Sequence, residues 1–231
     1  MKKLLLLLAA TTAAFSLAQA QAPSFADKNQ HFEFRDGKTS IVMNCRGVAT
    51  INSEENDFGR HYETVMYVTN SKKENYFQGT IHKDTWRQVS AKRSSKSISS
   101  HYVWNSDGIV EYDIRNGYTP NYNGCRKEYL EDDNTIDICG LLYLVRIGVP
   151  ARDIQAKTLL TDNATMRLSD VKIDDDGSDI NFSVRVGQTG HVAGRIRKDE
   201  SRTPEYLDID IPGFSTNATL VEYSRRVSLN H

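Results

Sequence analysis

The stretch Asp133-Asn-Thr-Ile-Asp-Ile-Cys-Gly-Leu-Leu-Tyr-Leu-Val-Arg-Ile-Gly148 decides how the rest of the chain is arranged. It opens with three good N-cap residues in a row, Asp133 to Thr135, and Gly148 and Pro150 provide a C-terminal stop. The residues between are apolar nearly all round, so the pattern predicts a helix over about 134–147 that is buried on most sides. At about 1.5 Å per residue, this helix is too short to cross a bilayer.

Short strand patterns separated by turn signals occupy most of the remaining chain. Asp36-Gly37 and Asp107-Gly108 are hairpin dipeptides, and the segment from Ile180 to Val186 alternates apolar and polar residues most regularly. The sequence therefore predicts a single, mostly β (α+β) domain. Its expected core is an antiparallel barrel-like or strongly curved sheet of about ten strands, with one mid-chain helix packed over or into it.

The first twenty residues have the composition of a secretory signal peptide. Lys2 and Lys3 precede an apolar run from Leu4 to Ala10, and Ala18-Gln19-Ala20 fits the small-x-small rule for cleavage. We therefore expect a signal peptide at 1–20, cleaved after Ala20, and one β-rich domain at 21–231. The mature protein is expected in the bacterial periplasm or outside the cell, with no transmembrane segment.

The charge balance limits the partners of the mature chain. The formal net charge is -1, and this value includes the two lysines of the expected signal peptide. General nucleic-acid binders and anionic-membrane binders normally carry a basic excess, which this chain lacks. We therefore expect no nucleic-acid partner.

Three motifs link the chain to a known family. They are Gly117-Tyr-Thr-Pro120-Asn-Tyr122, Ile136-Asp137 leading into Leu142-Tyr-Leu-Val-Arg146, and Arg197-Lys-Asp-Glu-Ser-Arg-Thr-Pro204 followed by a strand pair through Tyr223. In these motifs the chain resembles the exported family catalogued as Domain of Unknown Function family 3108, over most of the mature chain. The resemblance implies an exported β-rich fold with no assigned reaction and no catalytic residues to carry over.

Three cysteines, Cys45, Cys125 and Cys139, are expected in a compartment that permits disulfides. Cys125–Cys139 is the favoured pair, because it would tether the loop before the helix to the helix itself. A ring of that size is worth roughly 3 kcal/mol by loop-closure reasoning. Cys45 lies on an apolar strand face and could pair with Cys139 instead, so its role stays open. No Cys-x-x-Cys motif supports a catalytic thiol.

No metal site, cofactor or catalytic residue is predicted. The six histidines are scattered singly, without the spacing that places two ligands on one metal. The acidic run Asp174 to Asp179 lacks the full spacing of a calcium loop and is expected to form a polar hairpin turn. The chain also has no Gly-x-Ser-x-Gly or Ser-x-x-Lys motif. An enzyme is therefore the least favoured class.

Two surface features between residues 86 and 122 are candidates for binding. A basic run, Arg87, Lys92, Arg93 and Lys96, is expected to be a solvated edge strand or loop, although an anionic partner could dock there. Aromatic residues near Asn and Ser suit sugar stacking, and they equally suit β-sheet packing. The aromatic candidates are Trp86, Tyr102, Trp104, Tyr118 and Tyr122.

Three functions are compatible with this sequence. The first is a non-enzymatic exported protein that binds or carries a lipid or other hydrophobic envelope component between sheet and helix, at Leu141, Leu142 and Val145. In the alternative without a ligand, the helix completes the hydrophobic core and the cavity is filled by side chains. The second is a module that binds envelope glycan or protein through the aromatic stretch, which an exposed row of these side chains would favour. The third is a hydrolase of unrecognised type, assembled from residues distant in sequence.

Overall fold

The computed structural model describes residues 25, 28–52, 57–70, 74–95, 99–105, 108–113, 125–129, 134–161 and 164–226. The expected signal peptide at 1–20, Tyr118 and Tyr122 lie outside these residues. The elements are β1 (Asn29–Asp36), β2 (Thr39–Asn52), β3 (Asp57–Thr69), β4 (Glu74–His82), β5 (Gln88–Ser94), β6 (Ser99–Asn105), β7 (Gly108–Asp113), β8 (Cys125–Tyr129), β9 (Thr135–Ile136), α1 (Ile138–Ile147), α2 (Ala151–Gln155), β10 (Thr158–Leu160), β11 (Thr165–Asp175), β12 (Asp179–Val186), β13 (Gly190–Arg197), β14 (Pro204–Ile211) and β15 (Phe214–Arg226).

The fifteen strands of the described residues belong to one open sheet in the order β8-β7-β6-β5-β4-β3-β2-β1-β15-β14-β13-β12-β11-β10-β9. Nearly every strand pairs antiparallel with its neighbour in sequence. In addition, β1 pairs antiparallel with β15. The short β9 runs parallel to β10, and β8 and β9 lie at opposite ends of the strand order. The first and last described strands therefore lie side by side in the middle of the sheet. Its two edges, β8 and β9, follow one another along the chain.

The concave face of this sheet packs around α1. Alternate side chains of the strands form the core, and every residue of α1 from Ile138 to Arg146 is buried. The helix contacts β3 and β4 on one side and β9 and β10 on the other. Among the described residues, no helix combines the length and the apolar character that a bilayer span requires.

The predicted fold is confirmed in its coarse form, as a mostly β domain with a buried mid-chain helix. The count of about ten strands is too low, and a second helix, α2, follows the first. The helix also begins later than predicted, because Thr135 and Ile136 extend as β9 to pair with β10. Asp137 is therefore the N-cap, and its carboxylate accepts the Gly140 backbone N–H at 2.7 Å. Gly148 ends the helix as predicted, in the left-handed conformation with φ 82°.

Candidate functional site

The N-terminus of α1 approaches β4 so closely that only glycine fits at the contact. A Cβ on Gly79 would lie 2.6 Å from both carboxylate oxygens of Asp137 and 2.7 Å from the Cβ of Cys139. On the helix, a Cβ on Gly140 would lie within van der Waals overlap of the Gln88 side-chain oxygen. These two glycines therefore let the helix cap sit directly on the inner face of the sheet.

Asp137 is a buried carboxylic acid in the interior of the protein. Burial raises its pKa to about 6, while the Gly140 N–H, the positive charge of Arg93 and the Gln88 side chain act in the opposite direction. The side-chain oxygen of Gln88 also accepts the backbone N–H of Asp137 at 3.3 Å. Asp137 thus combines a capping role with a charge that is costly to keep inside the sheet.

The other end of α1 carries a buried guanidinium, that of Arg146, of which 2% is exposed. Its five N–H groups all have acceptors, as a satisfied buried arginine requires. These acceptors are the Arg202 backbone O at 2.9 Å, the Tyr62 hydroxyl at 2.6 Å, the Cys45 Sγ at 3.5 Å, the Gln30 Oε1 at 2.6 Å and the Ser201 backbone O at 3.0 Å. The guanidinium also lies over the rings of Phe25 and Phe32, 4.6 and 5.1 Å from their centroids.

Arg146 joins two of the three sequence motifs that carry the family resemblance. Its backbone acceptors, Ser201 and Arg202, lie in the connection between β13 and β14, where Arg202 has a φ of 47°. Tyr223 holds the same connection from β15, because its hydroxyl donates to Ser201 Oγ at 2.7 Å. The motifs are therefore linked by one buried hydrogen-bond network that fixes the end of α1, with every donor of Arg146 already used.

The three helix residues predicted to line a hydrophobic cavity lie in the core. Leu141 and Val145 have no exposed surface, and Leu142 is 3% exposed. Their neighbours belong to the main hydrophobic cluster, which includes residues of β1–β4, α1 and β11–β15. A ligand beside these residues would require rearrangement of packed side chains.

The aromatic candidates are not arranged as an exposed row. Tyr102 and Trp104 are buried on the inner face of β6, where the sheet pairing directs alternate residues towards the core. Trp86 is partly buried against the main core, in a turn where its φ is 58°. The surface that would favour a glycan- or protein-binding module is therefore not formed by Tyr102 and Trp104.

Tyr102 and Trp104 instead belong to a second, smaller apolar cluster, which we call the seam cluster. It consists of Ala91, Tyr102, Trp104, Ile109 and Leu160. Leu160 comes from β10, whereas the other members come from β5, β6 and β7. The Trp104 indole N–H donates to the Thr135 backbone O at 2.8 Å and so joins β6 to β9. The seam cluster thus lies where strands near the two edges of the open sheet approach each other.

The disulfide predicted between Cys125 and Cys139 is absent, because Cys139 is a free, buried thiol. The physical reason is its position in the first turn of α1, against Gly79 on β4, whereas Cys125 is in the edge strand β8. Burial raises the pKa of the Cys139 thiol well above its ordinary value. Cys45 is also a buried free thiol, with its Sγ 3.7 Å from Thr64 Oγ1.

The basic run differs from the predicted solvated edge or loop. Its central part forms β5, an interior strand between β4 and β6. Arg93 is buried on the inner face, with its guanidinium 5.1 Å from the ring centroid of Phe77. A recess of about 20 Å³ beside these two residues has room for about one water molecule.

The acidic run forms the expected hairpin turn between β11 and β12. The Asp176 carboxylate accepts the backbone N–H groups of Ser178 at 3.0 Å and Asp179 at 2.7 Å, and Gly177 has a φ of 95°. Hydrogen bonds within the turn lower the pKa of Asp176 below its ordinary value. These carboxylates are exposed and serve the turn itself.

Sequence spacing missed one group of possible ligands. His31 and Glu33 lie on β1, and the pairing of β1 with β15 places Glu222 beside them. One ligand atom from each of these side chains lies within 4.8 Å of the other two. His31 and Glu33 share a strand face because they are two residues apart, a signal that was available in the sequence. Glu222 could be added only with the pairing of distant strands.

The comparisons with known proteins add a structural similarity. No family model and no curated protein matches this chain. Among solved structures, the chain is similar to a crystal structure from Brucella abortus described as a beta-barrel-like protein of Domain of Unknown Function DUF1849. The two share 8% identity with a TM-score of 0.44, covering 87% of this chain and 98% of the other. That family differs from the one that the sequence motifs resemble, and a similarity at this level carries no functional argument.

Proposed function

We propose that this chain is an exported, non-enzymatic binding protein that holds a hydrophobic molecule, such as a lipid of the cell envelope, at the seam cluster. The observation that carries the proposal is an apolar cluster separate from the main core, formed by strands near the two edges of the open sheet. Openings of curved sheets are common places for apolar ligands. Tyr102, Trp104 and Leu160 are at most 2% exposed, and they would contact the ligand after the strands on the two sides of the cluster separate. Leu141, Leu142 and Val145 would remain packed in the main core.

The arrangement of the sheet supports this location over a site beside α1. A sheet of fifteen strands has more concave surface than a small barrel, whose interior side chains fill completely. Here α1 fills the part next to β3 and β4. The walls that meet at the seam cluster belong to opposite ends of the strand order, so they can separate without breaking a strand pair inside the continuous sheet.

The experiment is native mass spectrometry of the protein purified from a periplasmic extract without detergent. We expect additional mass that is removed by organic extraction and identified as lipid. Leu160→Phe adds volume inside the seam cluster, so it should reduce the bound fraction several-fold. Val221→Phe is the control, because it also introduces a phenylalanine, at a position that is 58% exposed. Circular dichroism would verify that both variants are folded.

Each outcome of this experiment bears on the proposal. Lipid bound to the control and lost from Leu160→Phe would support the seam cluster as the site. Equal lipid on both folded variants would place the ligand elsewhere and overturn the proposal. A protein without additional mass would also overturn it and leave both apolar clusters as packed core.

The exported location rests on the signal sequence expected at Met1–Ala20. We also propose membership of the exported Domain of Unknown Function family 3108, which rests on the three sequence motifs. N-terminal sequencing of protein recovered from the periplasm or the medium should begin at Gln21. A full-length chain that stays in the cytoplasm would contradict the location. This test is independent of ligand binding.

A further inference from the structure

A compact group of nitrogen and oxygen ligands lies on the outer face of the sheet, across the pair β1–β15. It contains His31 and Glu33 from β1 and Glu222 from β15, with all three ligand atoms within 4.8 Å of one another. The His31 side chain is 8% exposed and that of Glu33 is 29% exposed. His31 Nε2 lies 3.1 Å from Glu33 Oε1. Ligands of a tetrahedral zinc ion with bonds of about 2.0 Å lie roughly 3.3 Å apart, so this pair already has nearly the required spacing.

A second residue orients the imidazole for this role. Asn44 on β2 places its Oδ1 2.8 Å from His31 Nδ1, and an amide oxygen in that position accepts a hydrogen bond from Nδ1–H. Nε2 of a neutral His31 then presents its lone pair towards the Glu33 carboxylate, which is also an acceptor. A cation between the two atoms satisfies both. Metal-binding histidines commonly donate their other ring N–H to an oxygen in this way.

The strand geometry brings the third ligand into the group. Glu33 is paired directly with Glu222, and the register shifts immediately afterwards so that Phe34 pairs with Leu220. Val221 is therefore the extra residue of a β-bulge, a feature that re-aims neighbouring side chains. Like charges opposite each other on adjacent strands are destabilising. A bound divalent cation would convert this repulsion into attraction across β1 and β15.

We infer that His31 Nε2, Glu33 and Glu222 form a binding site for a first-row divalent cation of the Zn²⁺ type, with water completing the coordination. Imidazole and carboxylate ligands suit such cations. Asn44 is a positioning residue that fixes the imidazole. The ion would clamp the first described strand of the sheet to the last, and this role is independent of any ligand at the seam cluster.

The test is isothermal titration calorimetry of the chelator-treated full chain with Zn²⁺, together with thermal unfolding in the presence and absence of the ion. We expect one ion per chain and a higher Tm with Zn²⁺. Glu222→Gln removes one ligand at an exposed position and should weaken binding about tenfold or more. Asn44→Ala should weaken it by roughly 10- to 100-fold, as is typical for the partner of a ligating histidine.

Glu200→Gln is the matched control, because Glu200 is also exposed and lies outside the group. Unchanged affinity in this variant and reduced affinity in Glu222→Gln would support the site. Zn²⁺ binding that is equal in Glu222→Gln and Glu200→Gln would overturn it, because the ion would then be bound elsewhere. Absence of binding would also overturn it, and would leave His31 and Glu33 as a hydrogen-bonded pair.

Discussion

The Nη1 atom of Arg146 donates a hydrogen bond to the Tyr62 hydroxyl over 2.6 Å, with both side chains buried. This contact ties the last turn of α1 to β3, and the two backbone carbonyls at Ser201 and Arg202 complete the attachment. The acceptors of Arg146 are neutral groups. Oriented dipoles and aromatic faces therefore hold the buried charge in place of a carboxylate.

Arg146→Lys should destabilise the protein although it conserves the charge. An ammonium group has three donors without the planar fork of a guanidinium, so at least two of the present acceptors lose their partner. Unsatisfied buried polar groups cost about 1–3 kcal/mol each, and we expect a loss of about 3 kcal/mol in the free energy of unfolding. Urea unfolding followed by tryptophan fluorescence would measure it.

Arg152→Lys is the control for this substitution. The Arg152 side chain on α2 is 87% exposed, and its replacement should change the free energy of unfolding by less than about 0.5 kcal/mol. Equal, small effects of both substitutions would contradict the role that we assign to the Arg146 network.

The raised pKa of Asp137 predicts a specific dependence of stability on pH. The carboxyl titrates at about 6 in the folded protein against an ordinary value of 3.8, so the folded state binds the proton more tightly than the unfolded state. Its contribution is fully present below about pH 4 and is lost as the pH rises through 6. The size of this loss is about 2–3 kcal/mol.

Asp137→Asn isolates this contribution, because an amide oxygen can still cap the helix and does not titrate. The free energy of unfolding of the variant minus that of the wild type should increase by about 2–3 kcal/mol between pH 4 and pH 7. Urea titrations at several pH values would give this difference. A difference that stays constant with pH would show that Asp137 has no raised pKa.

Gly79→Ala should strongly destabilise the packing of α1 against β4. The new Cβ would lie 2.6 Å from the Asp137 carboxylate oxygens and 2.7 Å from the Cys139 Cβ, so the helix cap would have to move. Overpacking of this kind costs about 1–3 kcal/mol or more. Chemical denaturation would measure the loss, and a variant as stable as the wild type would be incompatible with this close approach.

The buried thiols predict the chemistry of the cysteines in the native protein. Cys45 and Cys139 should resist N-ethylmaleimide in the folded state and react after unfolding, because both are inaccessible and burial raises the pKa of Cys139. Peptide mapping without reduction is the measurement. A disulfide-linked peptide that contains Cys139 would contradict the structure, and its partner would show whether Cys125 or Cys45 forms the bond.

Local patterns were sufficient for much of the sheet and for the end of the helix. The alternation from Ile180 to Val186 predicts β12, because one face of this strand is buried and the other is solvated. Gly148 marks the end of α1 because its left-handed conformation is a local property of the chain. Such signals do not depend on which distant strand is the neighbour.

The features that were missed depend on contacts between distant residues. The sequence predicts that Arg93 is exposed to solvent. In the structure, β5 is an interior strand of the sheet, and the Arg93 side chain lies over the Phe77 ring. The sequence predicts Thr135 as a helix N-cap, but in the structure it is a strand residue that pairs with β10. Cys139 appears able to reach Cys125 when only spacing along the chain is considered. In the structure Cys139 packs against β4, and no pattern in the helix sequence predicts this contact.

The pairing of β1 with β15 has a consequence for the order in which the sheet can form. Asn29 pairs with Arg226, whereas the two edge strands are adjacent in sequence. Apart from the parallel pair β9–β10, the strand order is therefore a circular permutation of an up-and-down meander. During synthesis from the N-terminus, the central strand pair can form only after β15 has been made. A nascent chain that lacks β15 therefore cannot form the complete sheet. In a circular permutant with new ends between β8 and β9 and the original ends joined, the β1–β15 contact would be local in sequence. We expect this permutant to fold faster.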